Sequence, residues 1–114
     1  MVSPWRDLAE KTIGPNDTVK KSYPGNFNKQ YGYLCLGKNK MVFVSEKGFF
    51  KKKYEVLLDA PYQEVNVRLA DRFWIDLVHK DKTNHFETMG ISAKIVFQAI
   101  EDVSKYSTQT TVTH

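Results

Sequence analysis

Residues 32–45 read GYLCLGKNKMVFVS. Two short runs of large apolar residues flank a Gly-Lys-Asn-Lys tetrad. Side chains along a strand point alternately to opposite faces. In the first run, from Tyr31 to Leu36, Tyr31, Tyr33 and Cys35 therefore share one face, and Leu34 and Leu36 share the other. Gly37, Lys38, Asn39 and Lys40 make a tight hairpin loop. Met41 to Ser45 (MVFVS) is the returning strand. This two-residue period around a turn predicts antiparallel β-structure, and the same period continues on both sides of it.

Downstream, residues 46–50 (EKGFF) read as a connection. Over 53–58, Tyr54, Val56 and Leu58 alternate with Lys53 and Glu55, and Asp59-Ala60-Pro61 ends the strand. Over 64–69, Val65, Val67 and Leu69 point inward, with Glu64, Asn66 and Arg68 outward. Over 73–79, Phe73, Ile75 and Leu77 share one face, with Trp74, Asp76 and Val78 on the other. A polar turn at 80–83 precedes the last strand, 84–89. Upstream, residues 18–23 predict the first strand, broken by Pro24-Gly25-Asn26.

The two ends have helical period. Ser3 caps a helix over 4–13, with Pro4 in its first turn. Trp5, Leu8, Ala9, Thr12 and Ile13 recur on one face. Gly14-Pro15 stops it. Near the other end, Ser92 is a candidate N-cap. Ala93, Val96, Phe97, Ile100 and Val103 form one apolar stripe. The tail, 107–114, is rich in Ser and Thr and is expected to fray. The fold class expected is mainly β: seven antiparallel strands, a C-terminal α-helix covering them, and an extra short N-terminal helix. Residues 1–106 form a single domain.

Composition narrows the class of protein. The chain has 114 residues and one cysteine, which is one domain's length and excludes an internal disulfide framework or a Cys-based zinc site. Seven Phe, six Tyr and two Trp argue against a disordered chain. The longest apolar runs are four residues, whereas a spanning helix takes about 20. The N-terminus lacks a basic-then-apolar leader pattern, so the reading is a cytoplasmic protein, at most peripheral to a membrane. The net charge of +4 is uneven: residues 18–53 hold nine lysines and one acid, hence +8, and the remainder carries −4. A concentrated basic half points to an anionic partner, although surface lysines also serve solubility alone.

The spacing of Gly32, Leu34, Leu36, Met41, Phe43 and Ser45 resembles the GRAM branch of the pleckstrin-homology (PH) superfold. That branch has a G-x-L-x-L strand, a short turn and an x-L-x-F-x-S strand. Val56-Leu57-Leu58 and then Val65 match its next strand end loosely. Pro61 lies after that strand end instead of inside it. The resemblance covers about residues 15–103 and leaves the N-terminal helix outside. It implies a bent, two-sheet β-barrel capped by the C-terminal helix, and a non-enzymatic role in binding lipids, peptides or proteins. It also implies that three loops, 24–30, 46–52 and 79–83, share one rim.

The chemistry of the middle loop stands out. Lys47-Gly48-Phe49-Phe50-Lys51-Lys52-Lys53 sets two adjacent Phe among lysines. Adjacent residues on a strand cannot both face the core. A Phe pair can wedge into a bilayer interface while lysines meet anionic headgroups. Lys47, Phe49, Phe50, Lys51, Lys52 and Lys53 are therefore the candidate lipid or anion contacts, with Lys29, Lys80 and Lys82 around them. The alternative is that one Phe covers a core edge and the lysines are merely solvated. The basic pair of many headgroup-binding relatives is missing, since Gln30, Tyr31 and Gly32 follow Lys29.

Expected partners are an anionic membrane surface or an acidic protein. Nucleic acid is disfavoured, because no RNP-type aromatic signature is present. A protein or peptide interface along a strand edge and the C-terminal helix is the competing function. Trp74 and Val78 suit such an interface, or else a site for the N-terminal helix through Trp5, Leu8 and Ile13. No cofactor, catalytic residue or metal site is expected: Cys35 reads as a buried hydrophobe, and His79 and His85 flank Asp81 without an evident shared face.

Overall fold

The computed structural model describes residues 3–112. The elements run α1 (Pro4–Ile13), β1 (Lys21–Phe27), β2 (Gln30–Leu36), β3 (Lys40–Lys47), β4 (Lys53–Pro61), β5 (Val65–Leu69), β6 (Trp74–His79), β7 (Lys82–Thr88) and α2 (Ala93–Val112). A single 3-10 turn, Tyr62–Glu64, joins β4 to β5. The strands form one antiparallel sheet in the order β4-β3-β2-β1-β7-β6-β5. The two end strands do not pair with each other, so the sheet is continuous but not closed. The seven antiparallel strands and two helices agree with the sequence pattern; the two separate sheets expected are one.

The sequence explains why β2 and β3 lie at the centre. Leu34, Leu36, Met41 and Phe43 face the main core with Leu58, Ile75, Leu77 and Phe86. Cys35, Val42 and Val44 face the other way and are also fully buried, under Ala9 and Ile13 of α1. A strand covered on both faces reads as a continuous apolar run, which is why MVFV has no polar alternation. Each such buried side chain contributes about 1.5–3 kcal/mol before entropy. α2 closes the main core with Ala93, Val96, Ala99 and Ile100.

The first strand differs from expectation. It spans Lys21–Phe27, so Pro24, Gly25 and Asn26 lie inside it. Two circumstances allow this. β7 joins β1 only from Gly25 onward, so at Pro24 the strand has one ladder neighbour, the setting in which a proline is tolerated. Gly25 is needed because a Cβ there would strike the Phe86 ring and the Glu87 carbonyl. The expected loop at 24–30 shrinks to a two-residue turn, Asn28-Lys29, with φ of 50° and 71°. The β6–β7 turn, Lys80-Asp81, has φ of 51° and 62°. Both have the doubly left-handed form that suits the twist of a hairpin.

α1 occupies the residues expected, with Ser3 at its N-cap and Pro4 in its first turn, but the cap is the Ser3 carbonyl rather than its hydroxyl. That oxygen accepts from the Arg6 and Asp7 amides, both at 3.0 Å. The helix does not pack on Trp74 and Val78. It lies across β3 and β4, because the outer face there is apolar (Val42, Val44, Val56) while the Trp74 face carries Asp76 and His85. α2 continues to Val112, through much of the segment expected to fray; residues 113–114 and the side chains of 105–112 lie outside the description.

Candidate functional site

The β3–β4 hairpin holds its pairing to the last rung, Lys47 opposite Lys53. Residues 48–52 project beyond that rung. Gly48 turns the chain at φ 105°, with the Lys51 carbonyl packed where a side chain would stand. Phe49 and Phe50 at the tip are 97% and 102% exposed. Neither ring covers a core edge, as the alternative reading of that loop requires, while Lys47, Lys51, Lys52 and Lys53 are exposed. Lys52 pairs with Glu46 at 3.3 Å. Tyr54, half-buried below the loop, has its hydroxyl pKa raised by burial and then by a hydrogen bond with Glu46. Among the described residues Lys47, Lys51 and Lys53 make no ion pair.

Register brings the other expected loops to the same end of the sheet. Phe27 pairs with Gln30 next to the β1–β2 turn, and His79 with Lys82 next to the β6–β7 turn. Asn28 bolts β1 to β7: its Nδ2 donates to Asn84 Oδ1 at 2.9 Å, and its Oδ1 accepts from the His85 amide at 2.8 Å. Lys29, Lys80 and Lys82 thus leave from a rigid base. Among the described residues no ion pair joins them to residues 48–52. With neighbouring strands about 4.8 Å apart, the path along the sheet from the first of these turns to the last is about 20 Å. Lys29 is two strand positions, and Lys80 and Lys82 four, from the Phe pair along that end of the sheet.

The histidines do not converge. His85 Nδ1 meets Asp76 Oδ1 at 2.7 Å, while His79 Nε2 meets Glu64 Oε1 at 3.3 Å. Among the described residues no group of three or more His, Cys, Asp or Glu could hold a metal ion. Cys35 is fully buried, and burial pushes its thiol up to about 12. Among the described residues its Sγ makes one hydrogen bond, to the Tyr33 carbonyl at 3.8 Å.

Sequence reasoning missed one feature. Lys20, Lys21 and Lys38 line a crevice against Ala99, Asp102 and Val103 of α2. Lys20-Lys21 lies within the predicted first strand, and nothing local links it to a helix about 80 residues later.

No helix of the described residues is long and apolar enough to cross a membrane. Compared with known protein families and with curated proteins, the sequence matches none. Among solved structures, it is similar to the crystal structure of the C-terminal domain of an unknown protein from Leishmania infantum. The likeness covers 88% of this chain and 90% of that one, with a TM-score of 0.57 and 15% identity. At that identity the similarity is one of fold.

Proposed function

We propose that this protein is a non-catalytic, PH-like binding module that docks its Phe49-Phe50 loop on anionic membrane lipid. One observation carries the reading. Two fully exposed Phe side chains stand at the tip of the β3–β4 hairpin, flanked by lysines of which, among the described residues, only Lys52 pairs with an acid. In water such a tip gains nothing. At a bilayer interface the rings leave water, and each lysine near the surface adds about 1 kcal/mol. A strand order in which β1 adjoins both β2 and β7, with a C-terminal helix on the inner face, supports the PH-like part of the reading. The spread of Lys29, Lys80 and Lys82 favours diffuse attraction over a single headgroup pocket.

Co-sedimentation with vesicles tests it. The protein should bind vesicles containing phosphatidylserine and not those of phosphatidylcholine alone. Binding should weaken as salt rises, because exposed charges are screened beyond a Debye length of about 8 Å at physiological ionic strength. Phe49→Ala/Phe50→Ala should weaken it at constant salt. Equal binding by that double variant sinks the docking role of the Phe pair, and no binding of the unaltered chain to anionic vesicles makes an acidic protein surface the favoured partner.

A further inference from the structure

A crevice of about 410 Å³ opens at the end of the sheet away from the Phe49-Phe50 loop. Its cationic side is Lys20, just ahead of β1, Lys21, at the start of β1, and Lys38, in the β2–β3 turn. Its apolar side is Ala99 and Val103 of α2, and Asp102 is its one acid. The volume lies in the range of small-molecule sites, about 300–1,000 Å³.

The lysines stand on fixed backbone. The Lys20 amide donates to the Leu36 carbonyl at 2.7 Å. The Lys38 amide donates to both carboxylate oxygens of Asp17, at 2.8 and 2.9 Å, and the Asn39 amide donates to the same group at 3.1 Å. From the other side, the Tyr62 hydroxyl donates to the Gly37 carbonyl at 2.7 Å. A carboxylate and a phenol thus hold the turn that presents Lys38. Among the described residues none of the three ammonium groups has an ion pair or hydrogen-bond partner. The lining thus combines three lysines with one carboxylate and two apolar side chains.

Neither part suffices alone. Exposed lysines hold a bare inorganic anion weakly, because water and salt screen the attraction. A neutral apolar molecule leaves the ammonium groups with nothing to meet. We propose that the crevice binds a soluble, single-chain amphipathic anion. Its phosphate or carboxylate is held by Lys20, Lys21 and Lys38, and its chain lies on Ala99 and Val103. The site is independent of the membrane loop and lies at the opposite end of the sheet.

The test uses alkyl phosphates of four to eight carbons, below their micellar concentration, titrated into the full chain and followed by amide chemical shifts. Saturable shifts are expected at Lys21, Lys38, Ala99 and Val103. Affinity should rise about fourfold per buried methylene until the floor is covered. Inorganic phosphate and the octyl trimethylammonium cation should bind at least tenfold more weakly than octyl phosphate. Lys20→Glu/Lys21→Glu/Lys38→Glu should lower octyl phosphate affinity at least tenfold, while Phe49→Ala/Phe50→Ala should leave it unchanged. Should the triple variant not fold, single Lys→Gln variants at these positions should each weaken binding. Affinity independent of chain length overturns the proposal, as does affinity unchanged by loss of the lysines. Shifts at these amides with anionic vesicles but not with soluble alkyl phosphates would also overturn it, making the crevice a bilayer contact.

Discussion

Trp5 lies flat on Tyr33, with ring centroids 4.1 Å apart and planes 12° from parallel. Tyr33 in turn meets Tyr31 edge-on at 5.7 Å. This stack pins the start of α1 to the middle of the sheet, and Ala9 and Ile13 continue the contact over Cys35, Val42 and Val44. Trp5→Ala should therefore cost about 2 kcal/mol, less than the 3–5 kcal/mol of a fully buried aromatic, since Trp5 is half-buried. Urea unfolding followed by circular dichroism measures it. A change under about 0.5 kcal/mol would mean that the helix is not held by its Trp.

Two classes of phenylalanine should separate cleanly. Phe43 is fully buried between Phe27, at 4.9 Å, and Phe86, at 6.1 Å. Phe43→Ala should lose about 3–5 kcal/mol. Phe49→Ala and Phe50→Ala should each shift stability by less than about 0.5 kcal/mol. Thermal melts of the three variants compare them directly.

The Cys35 thiol gives a pH signature. Its folded pKa, pushed up to about 12 by burial, lies above the ordinary thiol value of about 8.5. The unfolded chain therefore releases this proton first. The thiol's contribution to stability is complete below about pH 8.5 and is lost as pH rises towards 12, by at most about 1.4 kcal/mol per pH unit. Tyr33 and Tyr62 are shifted in the same direction, Tyr33 chiefly by its hydrogen bond with Tyr31 and Tyr62 by burial. They extend the decline above pH 10. Denaturation midpoints from pH 8 to 10 should fall, and fall less in Cys35→Ala. A thiol reagent at pH 8 should react only as fast as the chain opens.

Gly32 is predicted to be intolerant of any side chain. A Cβ there would meet the Val44 carbonyl and come within 2.8 Å of the Phe43 ring. Gly32→Ala should cost about 3 kcal/mol, at the upper end for overpacking. Gly90→Ala meets no atom within 4 Å and should cost only the backbone strain of its φ of 81°, about 1 kcal/mol. Equal losses at the two positions would contradict this packing.

Much of the fold was written in local period. The hairpin at 32–45 and both helical stripes follow from alternation and from one-face spacing, and these lie where the sequence puts them. Pro24-Gly25-Asn26 misled for a physical reason. As a tripeptide it signals a turn, but Gly25 is demanded by the Phe86 ring, which arrives from 61 residues further along the chain. The site α1 chooses was equally non-local, since two sheet faces offered a Trp or Tyr and only one was apolar around it. In the candidate site, exposure of Phe49 and Phe50 follows from adjacency in a glycine loop, whereas the Lys20-Lys21-Lys38 crevice depends on where α2 lies.

The left-handed turns have a consequence for the engineer. Lys29 and Lys80 hold φ of 71° and 51°, where a non-glycine residue carries a penalty of roughly 1–2 kcal/mol. Glycine at position 29 would complete an Asn-Gly pair, the favoured composition for such a turn. The protein forgoes that gain and keeps a cation at the apex. Selecting variants for heat resistance alone should therefore strip charge from these two apices first, yielding a tougher molecule with a less adhesive end.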